Sequence, residues 1–305
     1  MQTTVKSEVT FTGTGLHSAA SVCVTVRPAA ASTGVVFRRI DLPGQPELLA
    51  RWDNVVISPL NTRLIDDDGV TVSTIEHLMA ALAGCGIHNA IVEIDGPEVP
   101  ILDGSAAQFV RGFVDAGVVT LPVALYAIEV LNPVHVADGS ATAALLPAAN
   151  LQIDFEIEFA DAAIGRQTKV LNLANGTFVR ELCDSRTFCR SADVAKMQAN
   201  GLALGGSMDN AVVVDGERIL TPGGLRRPDE AVRHKMLDAL GDLSTAGAPL
   251  LARYVGYRAG HALTNKLLRA LFADDQAWHW VKCDQQIASR LPGVGVNATD
   301  LEAVA

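Results

Sequence analysis

Cysteine is scarce in this sequence, and its few cysteines form no pair at a useful spacing. Their number is odd and no CxxC motif occurs, with the residues at Cys23, Cys85, Cys183, Cys189 and Cys283. We therefore expect neither a disulfide framework nor a cysteine-built metal site. Basic residues are also few, since 24 Lys and Arg face 34 Asp and Glu and leave a net charge of −10. This balance argues against a nucleic-acid-binding protein, whose ligand needs compensating positive charge.

Long apolar runs are absent as well. No stretch reaches about 18 apolar residues, the length that a membrane-spanning helix needs. The first residues, MQTTVKSEVTFTG, alternate apolar and polar side chains like a strand and lack the apolar core of a signal peptide. We therefore expect a cytoplasmic protein with no stable membrane insertion. The composition, 49% hydrophobic and 19% charged, is typical of a folded globular chain and excludes disorder.

Three widespread catalytic motifs are missing too. The sequence has no HExxH, no GxSxG and no GxxxxGK[ST], which excludes common signatures of zinc proteases, serine hydrolases and P-loop nucleotidases. Gly205 and Gly206 precede a predicted strand and do not open a helix, so they do not form a dinucleotide-binding motif.

The order of predicted elements divides the chain into two halves. The first half is expected to contain strands Thr4–Thr12, Ser21–Arg27, Gly34–Arg38 and Ile87–Ile94, and helices from Ser73 to about Ala83 and from Ser105 to about Ala116. Ser73 or Thr74 is the expected N-cap of the first helix. Strands start again after residue 122, at Tyr126–Val130 and Leu151–Phe159. We therefore predict two α+β domains, residues 1–123 and 124–305.

The second half carries two further features. Residues 186–220 are apolar and rich in glycine, and they are predicted to form a small inserted unit around the strand Ala211–Asp215. Its apolar side chains either pack on the neighbouring domain or line a channel partly open to water, and they are Val194, Leu202, Leu204, Ala211 and Val213. The pattern His77-x-Met79-x4-Gly84 returns as His234-x-Met236-x4-Gly241. An internal duplication and a chance likeness between two apolar helices explain this equally well.

The helix predicted at Asp229–Leu243 carries the strongest pattern of chemical side chains. Its apolar stripe consists of Val232, Met236, Leu240 and Leu243. On the opposite side, about 200° around the helix, lie His234, Asp238 and Asp242. An imidazole and a carboxylate four residues apart can bind one divalent cation. Taken alone, the HxxxD pattern is better explained by a solvated polar face.

Two further histidines stand at helix positions that can take part in chemistry. In STIEHLMAALAG, Glu76 precedes His77, which shares a helix face with the small residues Ala81 and Gly84. These small residues leave room for a partner, although an inert histidine at a packed helix contact fits better when the segment is taken alone. His261 begins another predicted helix and could simply cap it. Spacing assigns no role to His17 and His88.

Seven stretches together resemble the UDP-3-O-acyl-N-acetylglucosamine deacetylases of lipid A biosynthesis in Gram-negative bacteria. They are GTGLHS at 13–18, STIEHLMAALAGCGIHNA at 73–90, PILDGSA at 100–106, SRTF at 185–188, GLALGGSMDNAVVVD at 201–215, VRHKMLDALGDL at 232–243 and GHALTNKLL at 260–268. The resemblance implies an α+β fold of two similar domains, each a β-sheet layered against helices with a small inserted unit, and an active site between them. It also implies a zinc-dependent hydrolase that removes the N-acetyl group from UDP-3-O-acyl-N-acetylglucosamine and releases acetate.

The resemblance assigns roles to individual residues. The family's zinc ligands are matched by His77, His234 and Asp238. Three protein ligands leave the fourth position of a tetrahedral zinc for water. Glu76 matches the general base and His261 the general acid, and Asp242 matches the carboxylate that orients His261. Thr187 matches a hydroxyl that helps to stabilise the oxyanion. Positions lining the substrate site are matched by Leu16, Phe188, Ala211, Val213 and Lys235.

Four positions depart from what family members often carry. Ala19 stands where Gly often follows His-Ser, and Asn61 stands where a Cys is common. Thr264 replaces a frequent Asn, and Cys189 follows Phe188 where Gly is usual. None of them removes a ligand or a catalytic group, so they concern the shape of the pocket.

Three other interpretations stay open. The chain could be a zinc amidase for another acylated amino sugar, a binding protein with a closed structural metal site, or a binding module with inert histidines. The expected partner is a UDP-linked acylated amino sugar, and the expected oligomeric state is a monomer. Zinc is the expected cofactor, with ferrous iron as the alternative, because histidine and carboxylate ligands suit both metals.

Overall fold

The structure is a computed structural model that describes residues 1–58 and 60–304. The strands of the first half are β1 (Thr3–Val5), β2 (Val9–Thr14), β3 (Ser21–Pro28), β4 (Val35–Arg39), β5 (Glu47–Leu49), β6 (Val55–Val56), β7 (Arg63–Ile65), β8 (Thr71–Val72), β9 (Ala90–Ile94) and β10 (Val118–Thr120). Its helices are α1 (Glu76–Gly84) and α2 (Ala107–Ala116), with a 3-10 helix at Trp52–Asn54.

A five-stranded sheet with the order β2-β3-β9-β4-β5 forms the frame of the first half. Alternate residues of β3 and β9 are buried, as the period of two in a strand requires when one face of the sheet packs on a core. Phe11 of β2 makes edge-on contacts with Phe109 and Phe113, which hold α2 on the sheet.

The second half repeats this arrangement of strands and helices. Its strands are β11 (Tyr126–Val130), β12 (Val134–Asp138), β13 (Ala141–Pro147), β14 (Gln152–Glu158), β15 (Arg166–Asn172), β16 (Phe188–Arg190), β17 (Val212–Asp215), β18 (Arg218–Ile219), β19 (Leu250–Tyr257) and β20 (Trp278–Lys282). Its helices are α3 (Thr177–Glu181), α4 (Ser191–Ala199), α5 (Glu230–Ser244), α6 (His261–Phe272) and α7 (Gln285–Ala288), with a 3-10 helix at Ala298–Ala303.

Five strands of the seven-stranded sheet in the second half share the topology of the five-stranded sheet in the first half. The sequence β12-β13-β19-β14-β15 has the same parallel and antiparallel pairings as β2-β3-β9-β4-β5. In each half a helix precedes the central strand, α1 before β9 and α5 before β19, and another helix follows it. A three-stranded sheet stands before each of these first helices, β6-β7-β8 and β16-β17-β18. The predicted α+β fold, with a small inserted unit in each half, is therefore confirmed.

Helices α1 and α5 make the most extensive helix–helix contact in the described part of the molecule. Gly241 makes this approach feasible, because a Cβ atom at this position would overlap the main-chain carbonyl oxygen of Glu76. The contact brings the start of α1 beside the middle of α5. Residues that are far apart in the sequence are thereby placed around one site.

Several predicted boundaries are wrong, each for a physical reason. The strand expected at Thr4–Thr12 is divided, because β1 pairs with β10 whereas β2 pairs with β3. Helix α1 begins only at Glu76 and follows Ile75, so neither Ser73 nor Thr74 is its N-cap. Thr74 has a left-handed φ of 58°, and its hydroxyl donates to Glu98 at 2.9 Å instead of capping the helix.

The inserted unit of the second half consists of α4 and the sheet β16-β17-β18, within the predicted range 186–220. None of the α4 side chains is buried. Across the described ranges, no helix has both the length and the apolar character that crossing a bilayer requires. The domain boundary at residue 123, which falls between β10 and β11, stays a prediction.

Candidate metal centre

Two helices bring three buried metal-binding side chains together. His77 lies in the first turn of α1, and His234 and Asp238 lie one turn apart on α5. One ligand atom from each side chain lies within 4.8 Å of the other two. None of the three residues is more than 4% exposed. The alternative of a solvated polar face on α5 is therefore wrong, because both sides of the helix are packed.

The carboxylate of Asp238 has one engaged oxygen and one free oxygen. Its Oδ2 accepts a hydrogen bond from Lys235 Nζ at 2.6 Å. Its Oδ1 is buried without a hydrogen-bond partner, 3.5 Å from His77 Nε2 and 3.3 Å from His234 Nε2. An unsatisfied buried carboxylate oxygen is costly. Two imidazole nitrogens facing one carboxylate oxygen fit a divalent cation such as zinc, which would satisfy all three atoms.

The His234 ring is held in the form that a metal ligand needs. Its Nδ1 donates a hydrogen bond to the carbonyl oxygen of Ser185 at 3.0 Å, so the lone pair is on Nε2, which faces Asp238. Burial lowers the pKa of His234 to about 4, although the charge of Asp238 opposes this shift. The imidazole is therefore neutral near pH 7 and can donate its lone pair.

Three more buried side chains adjoin the ligands, from α1, α5 and α6. Glu76 Oε1 lies 3.9 Å from His261 Nε2. The same nitrogen lies 3.9 Å from Asp238 Oδ2. On the other side of the ring, His261 Nδ1 donates to Asp242, with 3.0 Å between the nitrogen and Oδ2. The predicted catalytic residues Glu76, His261 and Asp242 are thus in one place with the ligands.

Glu76 and His261 have pKa values shifted toward acid–base chemistry. Burial raises the pKa of Glu76, although the nearby His261 and His77 oppose this shift. Burial alone would lower the pKa of His261, but the carboxylates of Asp242 and Glu76 raise it to about 9. His261 is therefore a proton donor near pH 7, beside a carboxylate that can accept a proton.

The segment before β16 passes along α5 beside the ligands. Ser185 binds His234, and the Phe188 ring makes an edge contact with the His234 ring, with centroids 6.2 Å apart. In the sequence, Thr187 lies between Ser185 and Phe188. Its N–H donates to Gly104 O at 2.7 Å and its carbonyl accepts from Val212 N at 2.8 Å. The roles expected for Thr187 and Phe188 stay predictions.

The residues expected to line an acyl passage meet at the inserted unit. The carbonyl of Leu16 accepts a hydrogen bond from Gly205 N at 2.9 Å, which ties the first half to this unit. Val213 is half-buried, and Leu204 is 48% exposed. Ala211 is only 7% exposed, and its carbonyl accepts from the Thr221 hydroxyl. The burial of Ala211 fits the packing alternative, whereas Val194, Leu202, Leu204 and Val213 are at least partly exposed, as the channel alternative requires.

The two histidines without an assigned role have different surroundings. His17 accepts a hydrogen bond at Nδ1 from Ala203 N at 3.2 Å, and its Nε2 is buried without a partner. His88 pairs through Nδ1 with the Thr3 hydroxyl at 2.7 Å, and burial lowers its pKa to about 4. His88 therefore contributes to the packing of the first strand and not to the group of ligands.

Sequence reasoning missed two residues that hold the site in place. Glu98 is a buried carboxylate that accepts from His17 N, Ser18 N and both the Ser18 and Thr74 hydroxyls. It thereby joins the Gly-Leu-His-Ser loop to the residues before α1. Thr62 contacts both Glu76 and Asp242. No motif marks either residue, because their partners are distant in the sequence.

The four departures from the resemblance have visible surroundings. Ala19 has a φ of 57°, a left-handed value that favours glycine. Asn61 is buried and its Oδ1 has no partner. The Thr264 hydroxyl lies 3.1 Å from Tyr254 OH within the core. Cys189 is half-buried on β16 and pairs with Val213.

Comparison with known proteins shows which family this chain is similar to. Residues 2–273 match the family LpxC, described as UDP-3-O-acyl N-acetylglycosamine deacetylase. A protein named UDP-3-O-acyl-N-acetylglucosamine deacetylase from Phenylobacterium zucineum (strain HLK1) is 51% identical over 278 residues, 91% of this chain and 95% of that protein. Proteins of the same name from Shewanella frigidimarina (strain NCIMB 400) and Vibrio vulnificus (strain YJ016) are each 44% identical over 93–94% of this chain and 94–95% of their own length. The chain, which assembles these candidate site residues in one place, therefore belongs to the LpxC family of UDP-3-O-acyl N-acetylglycosamine deacetylases.

Proposed function

We propose that this enzyme is a zinc-dependent amidase that removes the N-acetyl group from UDP-3-O-acyl-N-acetylglucosamine. One observation carries the proposal. The unpartnered Oδ1 of Asp238 faces the Nε2 atoms of His77 and His234, with Glu76 and His261 beside it. This arrangement offers three ligands for a metal and, separately, one proton acceptor and one proton donor. Metal-assisted amide hydrolysis uses all of them.

The residues that would hold the metal are His77, His234 and Asp238. When bound there, zinc would act as a Lewis acid toward the acetyl carbonyl and lower the pKa of a water molecule. Lys235 holds Oδ2 of Asp238 and leaves Oδ1 directed at the two histidines. Two imidazoles and one carboxylate suit ferrous iron as well, so iron is the alternative metal.

Glu76 and His261 would divide the proton transfers between them. Glu76 accepts a proton from water as the water oxygen forms a bond to the acetyl carbon. His261 gives its Nε2 proton to the sugar nitrogen as the carbon–nitrogen bond breaks, which releases acetate and a free amine. Asp242 accepts a hydrogen bond from His261 Nδ1 and keeps Nε2 directed at the reacting atoms.

Several polar and apolar groups would hold the substrate and the developing charge. The Thr187 hydroxyl would donate to the carbonyl oxygen as negative charge grows on it. Lys235 and Phe188 would line the sugar side of the site. The partly exposed apolar residues of the inserted unit, Val213 among them, would bind the acyl chain together with Leu16.

The names of the relatives support this choice of substrate over another acylated amino sugar. Those proteins are called UDP-3-O-acyl-N-acetylglucosamine deacetylases, and they match more than nine tenths of the chain. We accordingly propose a role in lipid A biosynthesis. We also propose a cytoplasmic monomer, since one chain supplies every residue named for the site.

Mass spectrometry of substrate turnover tests the proposal. Purified protein with a known metal content is incubated with UDP-3-O-acyl-N-acetylglucosamine, before and after chelation and again after zinc is restored. We expect the loss of one acetyl group per substrate, abolished by chelation and recovered with zinc. A second acylated N-acetyl amino sugar serves as the control substrate. Turnover that persists without metal, or that favours the control substrate, would contradict the proposal.

A further inference from the structure

Thr62 contacts Glu76, the proposed proton acceptor, and Asp242, the carboxylate that orients the proposed proton donor His261. It is 3% exposed and lies just before β7. Its main-chain N–H donates to Glu76 Oε2 at 3.0 Å, and its hydroxyl donates to Asp242 Oδ1 at 2.5 Å. Its carbonyl accepts from the N–H of Ile75, the residue before α1, at 3.3 Å. A single residue is thus bonded to the start of α1 and to the last turn of α5.

These contacts close a ring of four residues. His261 Nδ1 donates to the Asp242 carboxylate, and His261 Nε2 lies 3.9 Å from Glu76 Oε1. Thr62 donates to Glu76 Oε2, the carboxylate oxygen that does not face His261, and to Asp242 Oδ1, which His261 Nδ1 also approaches at 3.1 Å. Within the described residues, the Asp242 carboxylate has hydrogen bonds to Thr62 and His261 alone, and the Glu76 carboxylate has one to Thr62 alone.

The ring explains how each carboxylate is aimed. Asp242 needs two donors on different sides to keep its plane fixed, and the Thr62 hydroxyl is the one that does not come from His261. Glu76 is held through Oε2, which leaves Oε1 on the side of His261. Thr62 makes no hydrogen bond to the proposed metal ligands among the residues described, so its effect on rate should be separable from metal binding.

We propose that Thr62 is a positioning residue for deacetylation, which fixes Asp242, and through it His261, with its hydroxyl while its main chain aims Glu76. The proposal rests on the function proposed above. It does not make Thr62 a catalytic residue, because the substrate and the transferred protons are handled by Glu76 and His261. Outer hydrogen bonds of this kind typically account for about 10–100-fold in activity or metal affinity.

A matched pair of variants separates the hydroxyl from the rest of the side chain. Thr62→Val removes the hydroxyl and keeps the branched shape and the N–H, whereas Thr62→Ser keeps the hydroxyl. We expect Thr62→Val to lower kcat about 10–100-fold with unchanged KM and zinc content, and Thr62→Ser to retain most of the rate. The control is Thr4→Val, which removes another buried hydroxyl, bonded to Ala29 N and Asn89 O outside the site. It should leave kcat unchanged.

A double-mutant cycle with Asp242→Ala is the decisive part of the test. If Thr62 acts through Asp242, Thr62→Val should cost little further rate once that carboxylate is gone. A general defect of folding would lower kcat by the same factor in both backgrounds, and melting temperatures are recorded for all variants. Thr62→Ala replaces Thr62→Val if the latter does not fold.

The outcomes distinguish the two proposals. If the wild-type enzyme releases no acetate, the proposed function fails and the Thr62 proposal fails with it. If the wild type is active, three results would overturn the role of Thr62 alone. These are equal losses in Thr62→Val and Thr62→Ser, a loss no larger than that of Thr4→Val, and full additivity with Asp242→Ala.

Discussion

The pKa and the hydrogen bonding of the Asp238 carboxylate both favour the binding of a metal cation. Burial alone would raise its pKa, but the neighbouring His234 and Lys235 hold that pKa well below its usual range. The carboxylate is therefore ionised near neutral pH. With Lys235 on Oδ2, the charge is left available on Oδ1, the atom that both histidines face. Metal binding is the interaction that satisfies this atom.

At the same scale, Glu76 and His261 should govern rate without governing metal content. We predict that Glu76→Gln and His261→Ala each retain zinc and lose about 10²–10⁴-fold in kcat/KM, the usual contribution of a positioned proton-transfer group. Metal analysis and initial rates on the same preparations check this. His279→Ala, an exposed histidine paired with Glu129, is the matched control and should be fully active.

The pH dependence should separate the two roles. Glu76 must be deprotonated to act as a base, so the rate should fall as pH drops through its pKa, which burial raises above the ordinary carboxyl value. His261 must be protonated to act as an acid, so the rate should fall as pH rises through about 9. Glu76→Gln should lose the acidic limb of the profile and His261→Ala the basic limb. An unchanged profile in either variant would refute that assignment.

Among the elements, the packing of α1 on α5 decides whether the site forms. Gly241 is the closest point, and a methyl group there would strike the main chain of Glu76, which cannot move away as a flexible side chain can. We predict that Gly241→Ala destabilises the protein by about 1–3 kcal/mol through overpacking, although alanine favours a helix by about 1 kcal/mol over glycine. Zinc affinity should fall too, because His77 moves away from Asp238.

Gly112→Ala is the control for this prediction. Gly112 lies in α2, which supplies none of the site residues, and a Cβ atom there would meet the flexible side chains of Phe11 and Val9. Its substitution should alter the melting temperature without altering zinc affinity. Equal zinc affinity in Gly241→Ala and the wild type would show that the helix contact does not set the metal site.

The inserted unit should control the response to acyl length. Leu204 is 48% exposed on this unit, and burying it against an acyl chain would gain up to about 0.8 kcal/mol per methylene covered. We predict that Leu204→Asp raises KM for the acylated substrate and leaves an acyl-less UDP-N-acetylglucosamine analogue unaffected. Leu131→Asp, at a leucine that is 43% exposed beside another sheet, is the control. Equal losses on both substrates would show that Leu204 serves packing only.

Local patterns predicted the helices of the second half well. The expected Asp229–Leu243 helix differs from α5 by one residue at each end, and His261 begins α6 as expected. In both segments the apolar residues recur with the period of a helix. The start of α1 was mispredicted because Glu98 takes the Thr74 hydroxyl that would have capped it. The spacing of residues in the sequence does not reveal that a distant carboxylate, here Glu98, binds the hydroxyl of a predicted N-cap residue.

For the whole molecule, the repeated HxMx4G pattern corresponds to a repeated topology. His77 and His234 stand near the starts of α1 and α5, the helices that precede the central strands of the two sheets. The proposed metal site lies where these helices meet, so neither half holds all three of its proposed ligands. The HxxxD spacing could predict two ligands on α5. Adding His77, and recognising Thr62 and Glu98, requires the tertiary contacts or a family resemblance.

We propose that deacetylation requires one metal ion, held by residues from both halves of the chain. The most direct measurement is the zinc content and acetate release of His77→Ala, His234→Ala and Asp238→Ala beside the wild type, with melting curves to verify folding. We predict one zinc per chain and zinc-dependent turnover in the wild type, and the loss of most zinc and nearly all activity in each folded variant. Wild-type zinc content and turnover in all three variants would contradict the proposed metal requirement.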